Sequence, residues 1–225
     1  MSKDKILIVD DDEDIIDLLK YNLEKEDYEV FTASNGADAI KLALEHVPNL
    51  VLLDVMMPGM DGVETCVELR TKDTLSNMLI VFLSARGEDY SQIAGLEAGG
   101  DDYLTKPIKP RLLVSRVKAL LRRNVQSTEG NDVIESSGIS LDREKYLVYK
   151  DGEPLKLPRK EFELLSLLLS KPGKVFDRNE ILDSVWGSDV MVGDRTIDVH
   201  IRKLREKLGS EYLMTIKGVG YKFEV

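Results

Sequence analysis

Apolar residues along the first half of the chain alternate between two spacings. Short, mostly apolar runs fall at 6–9, 30–33, 50–53, 79–83 and 103–104. Between them stand sets spaced by three and four: Ile15, Leu18, Leu19 and Leu23; Ala39, Leu42 and Ala43; Val63, Val67 and Leu69; Leu112, Leu113, Val117, Leu120 and Leu121. The runs read as strands buried on both faces and the spaced sets as amphipathic helices. Five βα units in succession predict an α/β domain with a doubly wound five-stranded parallel sheet, covered by helices on both faces. Ligands of such sheets gather at the carboxyl ends of the strands.

The pattern then changes. Residues 124–132 are polar and aperiodic, and read as a linker between a domain at 1–123 and a second at 133–225. The second half predicts short antiparallel strands at 138–142, 145–150 and 154–157. Helices follow at 161–170, 177–186 and 195–208, then a hairpin around Gly218 and Gly220. Asp177 and Glu180 have the spacing of a helix capping box. This half is α+β.

Charge alters that picture in one place. The net charge is −10 over 225 residues, which argues against nucleic acid when taken as a sum. Its distribution argues otherwise: 195–222 carries 7 basic against 3 acidic residues, a local +4. No apolar run approaches the ~20 residues of a membrane-spanning helix. The first run is too short for a signal-peptide core and ends in acids, so no export and no membrane partner are expected. The single cysteine, Cys66, excludes an internal disulfide and a cysteine-cluster metal site, and a cytoplasmic location is the expectation.

Candidate chemistry sits where the strands end. Asp10 and Asp11 follow the first run, Asp54 follows the third, Ser84 closes the fourth and Lys106 lies just past the fifth. Neighbouring parallel strands would bring the three carboxylates together, where they repel unless a cation neutralises them. Hard oxygen ligands with room for water suit Mg²⁺. Asp54 would be the nucleophile that forms an aspartyl phosphate, with Ser84 and Lys106 holding the phosphoryl oxygens. Asp12, Glu13 and Asp14 suit a helix start, where acids complement the dipole.

Residues 5–123 resemble the receiver domain of two-component signalling, a flavodoxin-like fold. The matching pieces are Val9-Asp10-Asp11, Leu53-Asp54-Val-Met-Met-Pro58-Gly59, Leu83-Ser84-Ala85-Arg86 and Asp102-Tyr103-Leu-Thr-Lys106-Pro107. The resemblance implies that Asp54 takes phosphate from the phosphohistidine of a sensor histidine kinase. It implies Mg²⁺ held by Asp10, Asp11, Asp54 and the backbone carbonyl of Met56, and a cis peptide at Lys106-Pro107. It further implies that Ser84 and Tyr103 act as the switch. An aspartate-nucleophile phosphatase would share this chemistry but would normally carry a second aspartate two residues beyond the first. Met56 stands there, so the chain is read as no enzyme beyond its own phosphorylation and dephosphorylation.

In 195–208, Ile197, Ile201, Leu204 and Leu208 share one face and the rest is largely basic. Such a helix fits a major groove. His200 has no second histidine near it, so a zinc site is rejected. With Glu161-Phe162-Glu-Leu-Leu165, Val185-Trp186-Gly187 and Gly218-Val-Gly-Tyr221, the segment 133–225 resembles the winged-helix output domain of OmpR/PhoB-family response regulators. That resemblance implies a recognition helix at 195–208 and a loop at 187–194 that meets RNA polymerase. It places Arg195, Thr196, Thr215 and Lys217 at phosphates of double-stranded DNA, and Val199, His200, Arg202 and Lys203 nearest the bases. A receiver that works only through protein contacts is the rival reading of this half.

The family also pairs two copies, when phosphorylated, through the face built from the fourth helix, fifth strand and fifth helix, here roughly 89–123. Asp101, Asp102, Arg116, Lys118 and Arg123 are the charged candidates for that homodimer face. Gln92 and Leu112 depart from it, standing where an opposite-charge pair is common. Pro158 replaces a helix-capping threonine, and Lys217 a wing arginine, which removes a bidentate phosphate contact.

Overall fold

A computed structural model describes residues 3–85, 89–122, 133–143, 145–187 and 194–224. The chain forms two compact units, Met1–Leu121 and Arg122–Val225. Residues 124–132, read as the linker, lie outside the described residues.

In the first unit, β1 (Lys5–Val9), β2 (Glu29–Ala33), β3 (Leu50–Asp54), β4 (Leu79–Ser84) and β5 (Asp102–Thr105) form one parallel sheet, ordered β2-β1-β3-β4-β5. The helices are α1 (Glu13–Glu24), α2 (Gly36–His46), α3 (Gly62–Arg70), α4 (Asp89–Ala98) and α5 (Pro110–Leu121). All residues of β3 and β4 are buried, as unbroken apolar runs require of strands covered on both faces. The sheet order reverses beside β1, whose register sets Val9 against Leu53. Consequently the residues that follow β1 meet those that end β3. Three side chains counted with the helical core lie outward: Leu18, Val67 and Leu112 are exposed. In α3, Cys66 and Leu69 face the core instead of Val67.

The second unit opens with the antiparallel sheet β6 (Val133–Ser136), β7 (Ile139–Asp142), β8 (Leu147–Lys150) and β9 (Glu153–Leu155). α6 (Arg159–Leu169), β10 (Phe176–Asp177), α7 (Arg178–Val185) and α8 (Asp194–Leu208) follow, then the hairpin of β11 (Leu213–Ile216) and β12 (Gly220–Phe223). Asp177 caps α7 by accepting from the Glu180 amide at 2.8 Å, while the Glu180 carboxylate pairs with Lys174 instead of closing a box. Pro158 stands at the start of α6 with no side-chain cap. Leu164, Leu165, Leu168, Ile197, Ile201, Leu204 and Leu208 are fully or almost fully buried, so α6 and α8 share this unit's core.

Candidate functional site

Strand ends build the first site. β1 delivers Asp10 and Asp11, and β3 delivers Asp54 as its last residue. Carboxylate oxygens of these three lie within 4.8 Å of one another, a set that could hold a metal ion. Asp10 and Asp54 are buried and Asp11 is exposed. The Lys106 ammonium bridges the buried pair, 2.8 Å from Asp10 Oδ2 and 2.6 Å from Asp54 Oδ1. Asp54 Oδ2 accepts from the Met56 amide at 3.0 Å, and Asp10 Oδ1 from the Asp12 amide at 3.1 Å. Asp12 caps α1, with Glu13 and Asp14 in its first turn.

Burial pushes the Asp54 carboxyl above its ordinary range, and the nearby Asp10 charge adds to this. The hydrogen bond and charge of Lys106 oppose the shift without cancelling it. Burial alone would pull Lys106 down, but its bonds to Asp10 and Asp54 outweigh that and hold its ammonium above the ordinary lysine value. The site therefore keeps a cation against two buried acids.

Ser84 is buried at the end of β4, and its carbonyl accepts from the Lys106 amide at 2.7 Å. The Lys106–Pro107 peptide is cis. Tyr103 is half-buried against the core that contains Leu53 and Phe82. An apolar groove of about 400 Å³ lined by Ile15, Leu18, Leu19, Ala85, Lys106, Pro107 and Ile108 adjoins the site. Gly62 was not singled out by motif. A Cβ there would lie 2.0 Å from the Asp54 carbonyl oxygen, so only glycine lets α3 start against the strand that carries Asp54. Asp61 and Glu64 close a capping box at that helix start, and that spacing was readable from sequence.

In the second unit, α8 turns Arg195 and Arg202 outward, with Lys203 half-buried. Lys217 is exposed in the turn between β11 and β12, and Thr215 on β11 is exposed while accepting from Arg205 at 2.7 Å.

Comparison with known proteins assigns each of the two units to a family. Residues 6–118 match the family model described as response regulator receiver domain, and 152–223 match transcriptional regulatory protein, C terminal. The chain is 43% identical over 233 residues to transcriptional regulatory protein ResD of Bacillus subtilis strain 168, covering 98% of this chain and 96% of that protein. The chain belongs to the OmpR/PhoB family of response regulators. It is 42% identical to transcriptional regulatory protein SrrA of Staphylococcus aureus strain NCTC 8325, over 98% and 95% of the two chains. Among solved structures, a mutant of RitR matches with a TM-score of 0.78 at 28% identity, over 98% of this chain and 99% of that one. DrrB, an OmpR/PhoB homologue of Thermotoga maritima, matches at 0.52 and 32% identity over the whole of both chains. No helix among the described residues is long and apolar enough to cross a membrane.

For this response regulator, several expected surface residues prove to be internal. Thr196, Val199 and His200, expected at DNA, are buried. The buried stripe of α8 is wider than its aliphatic residues suggest, because α6 and α7 both pack on it. The His200 ring lies 5.3 Å from the Trp186 ring, inside the domain. Asp101 and Asp102, expected on a dimer face, are likewise buried. Asp101 binds the Arg70 guanidinium at 2.6 Å and the Ile80 amide at 2.8 Å. Asp102 faces the buried Arg116 at 3.3 Å. Lys118 is exposed but pairs with Glu26, which follows α1, at 2.5 Å. Arg123, the Gln92 side chain and 188–193 of the expected polymerase loop lie outside the described residues.

Proposed function

We propose that Asp54 accepts a phosphoryl group from the phosphohistidine of a sensor histidine kinase, and that this drives homodimerisation and sequence-specific binding of the output domain to DNA. The observation that carries this reading is the Lys106 ammonium lying between the Asp10 and Asp54 carboxylates, with Asp11 beside them. A carboxylate oxygen of Asp54 attacks phosphorus as the bond to the imidazole nitrogen breaks. Lys106 already touches Asp54 Oδ1, so it can follow the charge onto a phosphoryl oxygen. The donor set is all oxygen, which fits Mg²⁺ held by Asp10, Asp11, Asp54 and the Met56 carbonyl. When bound, Mg²⁺ offsets the negative charge of the phosphoryl. The Ser84 hydroxyl supplies a further hydrogen bond, and Tyr103 follows it inward as the switch. The apolar groove along Ile15, Leu18 and Pro107 suits the kinase surface that brings the donor to Lys106.

Two output domains on tandem half-sites then bind more tightly than one, because the second contact becomes intramolecular. Beryllofluoride with Mg²⁺ should raise the mass measured by sedimentation to that of a dimer, and an unchanged mass at working concentrations would count against this step. Asp101, Asp102, Arg116, Lys118 and Arg123 are the proposed dimer-face residues; within one chain Asp101, Asp102 and Arg116 are buried and Lys118 is exposed.

At DNA, Arg195, Thr215 and Lys217 serve phosphates, while Arg202 and Lys203 lie nearest the bases. The Arg202 side chain is about half exposed and 3.6 Å from Glu206, a weak surface pair that DNA can displace. Arg202→Ala should weaken binding to the preferred duplex by about 1–3 kcal/mol. An equal loss on random DNA would assign Arg202 to the backbone alone. The loop at 187–194 is the proposed contact with RNA polymerase.

A further inference from the structure

A carboxylate stands on the basic side of α8. Asp198 is about half exposed, and its Oδ1 is 2.5 Å from Arg178 Nη2 and accepts the Tyr221 hydroxyl as well. Arg178 Nη2 also donates to the Tyr221 oxygen at 3.1 Å, and the guanidinium lies 5.4 Å from the Tyr221 ring centroid. The three residues come from three elements: the start of α7, α8 and β12. Seven residues on, two turns along the same face of α8, Arg205 donates to the Leu213 carbonyl from Nε at 3.0 Å and from Nη2 at 2.7 Å. The same Nη2 donates to Thr215 Oγ1 at 2.7 Å. Thr215 and Tyr221 are direct partners in the β11–β12 ladder. Opposite residues of an antiparallel pair present their side chains on one face. Thus one face of α8 is fastened to one face of the hairpin at two adjacent points.

We propose that Asp198 is a positioning residue for DNA recognition: through Tyr221 and Arg178 it locks the hairpin and the start of α7 against α8, and it makes no base contact of its own. The inference rests on the reading that α8 and the hairpin meet DNA together. Charge gives it a distinctive signature. A carboxylate facing phosphates disfavours every duplex equally. Holding helix and hairpin in one geometry favours only the duplex that uses both, because less freedom is lost on binding. Asp198 thereby trades general affinity for discrimination. Tyr221 reports the contact directly: burial first, then the Asp198 hydrogen bond and charge, push its hydroxyl up to about 12, against the charges of Arg178 and Arg205.

The test is a double-mutant cycle in the full-length chain with Asp198→Asn, Tyr221→Phe and both together. The probes are the duplex recovered by selecting from a random-sequence pool with beryllofluoride-treated protein, and a scrambled duplex of equal length. Each single variant should weaken the selected duplex about tenfold, and the double variant little more than either. Asp198→Asn should also bind the scrambled duplex more tightly, whereas Tyr221→Phe should not. In alkaline titration followed by tyrosinate absorbance, the tyrosine that ionises last should disappear in Tyr221→Phe and move down toward the ordinary value in Asp198→Asn. Additive losses, or a loss confined to one base pair that persists in the Tyr221→Phe background, overturn the proposal. Equal losses on both duplexes with a lowered thermal midpoint also overturn it, in favour of a purely structural role. If the wild type itself fails to prefer the selected duplex, the recognition reading falls and takes this inference with it. Preference by the wild type with additive variants overturns the inference alone.

Discussion

Asp54→Asn should abolish the phosphoryl gain that the proposed function expects of the wild type with acetyl phosphate and magnesium. The amide keeps the shape of the carboxylate, and its oxygen can still accept from the Met56 amide that bonds Asp54 Oδ2. What it loses is the anionic oxygen now 2.6 Å from Lys106. An amide oxygen is a poor nucleophile toward phosphorus, and its NH₂ turns a donor toward an ammonium. The expected effect is loss of the modification, read by intact mass after incubation with acetyl phosphate and Mg²⁺. Undiminished modification of the variant would move the acceptor elsewhere and dissolve the site. Stability should move the other way. A carboxyl raised in the folded state contributes stability that is complete below its unfolded value and lost as pH rises through the folded one. Once the pH exceeds that raised value, and without magnesium, ionised Asp54 is therefore a burden on the fold. The neutral amide removes it, so the variant should unfold at no lower denaturant concentration than the wild type.

The legible part of this molecule was the part in which chain direction and burial coincide. In the receiver, the runs of β1, β3 and β4 are strands buried on both faces, and the carboxyl end of each run is where polarity returns. Asp54, Ser84 and the residues after β1 and β5 could therefore be placed from the runs alone. Other features leave weaker traces. β6 reads Val-Ile-Glu-Ser with partly exposed residues, and β10 has two residues, so neither has a period to detect. On α8, Thr196 and His200 are polar residues in the buried stripe, so the aliphatic pattern alone does not mark them as internal. Asp101 and Asp102 show a related limit: residue type marks a charge as a surface group, whereas its partners decide whether it is buried within one chain. Gly62 illustrates the limit in another way, since its need is set by the Asp54 carbonyl, eight residues away in the chain and folded back on it.

Arg70→Met should destabilise the receiver by about 3–5 kcal/mol, because it removes the guanidinium that pairs with a fully buried carboxylate. Asp101 has no exposed surface, and its Oδ2 accepts from Arg70 at 2.6 Å and from the Ile80 amide at 2.8 Å. Arg70 has two further bonds, from Nε to the Gly99 carbonyl at 2.9 Å and from Nη1 to the Met78 carbonyl at 2.6 Å. One guanidinium thus ties the end of α3 to the start of β4 and to the turn before β5. Had Asp101 been a surface charge awaiting a second protomer, the same substitution would cost about 1 kcal/mol at most. The measurement must separate the domains. The single tryptophan, Trp186, lies in the second unit, so its fluorescence reports that unit and should be unchanged. Amide hydrogen exchange in β4 and β5 of the full-length chain reports the receiver and should accelerate markedly. The effect should also reach the proposed phosphorylation site. α3 begins at Gly62 against the Asp54 backbone and ends in the Arg70 clamp, so one short helix spans the distance between them. Releasing its far end loosens the strands that deliver Ser84 and Lys106, and acetyl phosphate should modify Arg70→Met more slowly although every acidic side chain of the site is intact. Fast exchange with unchanged modification would confine Arg70 to stability alone.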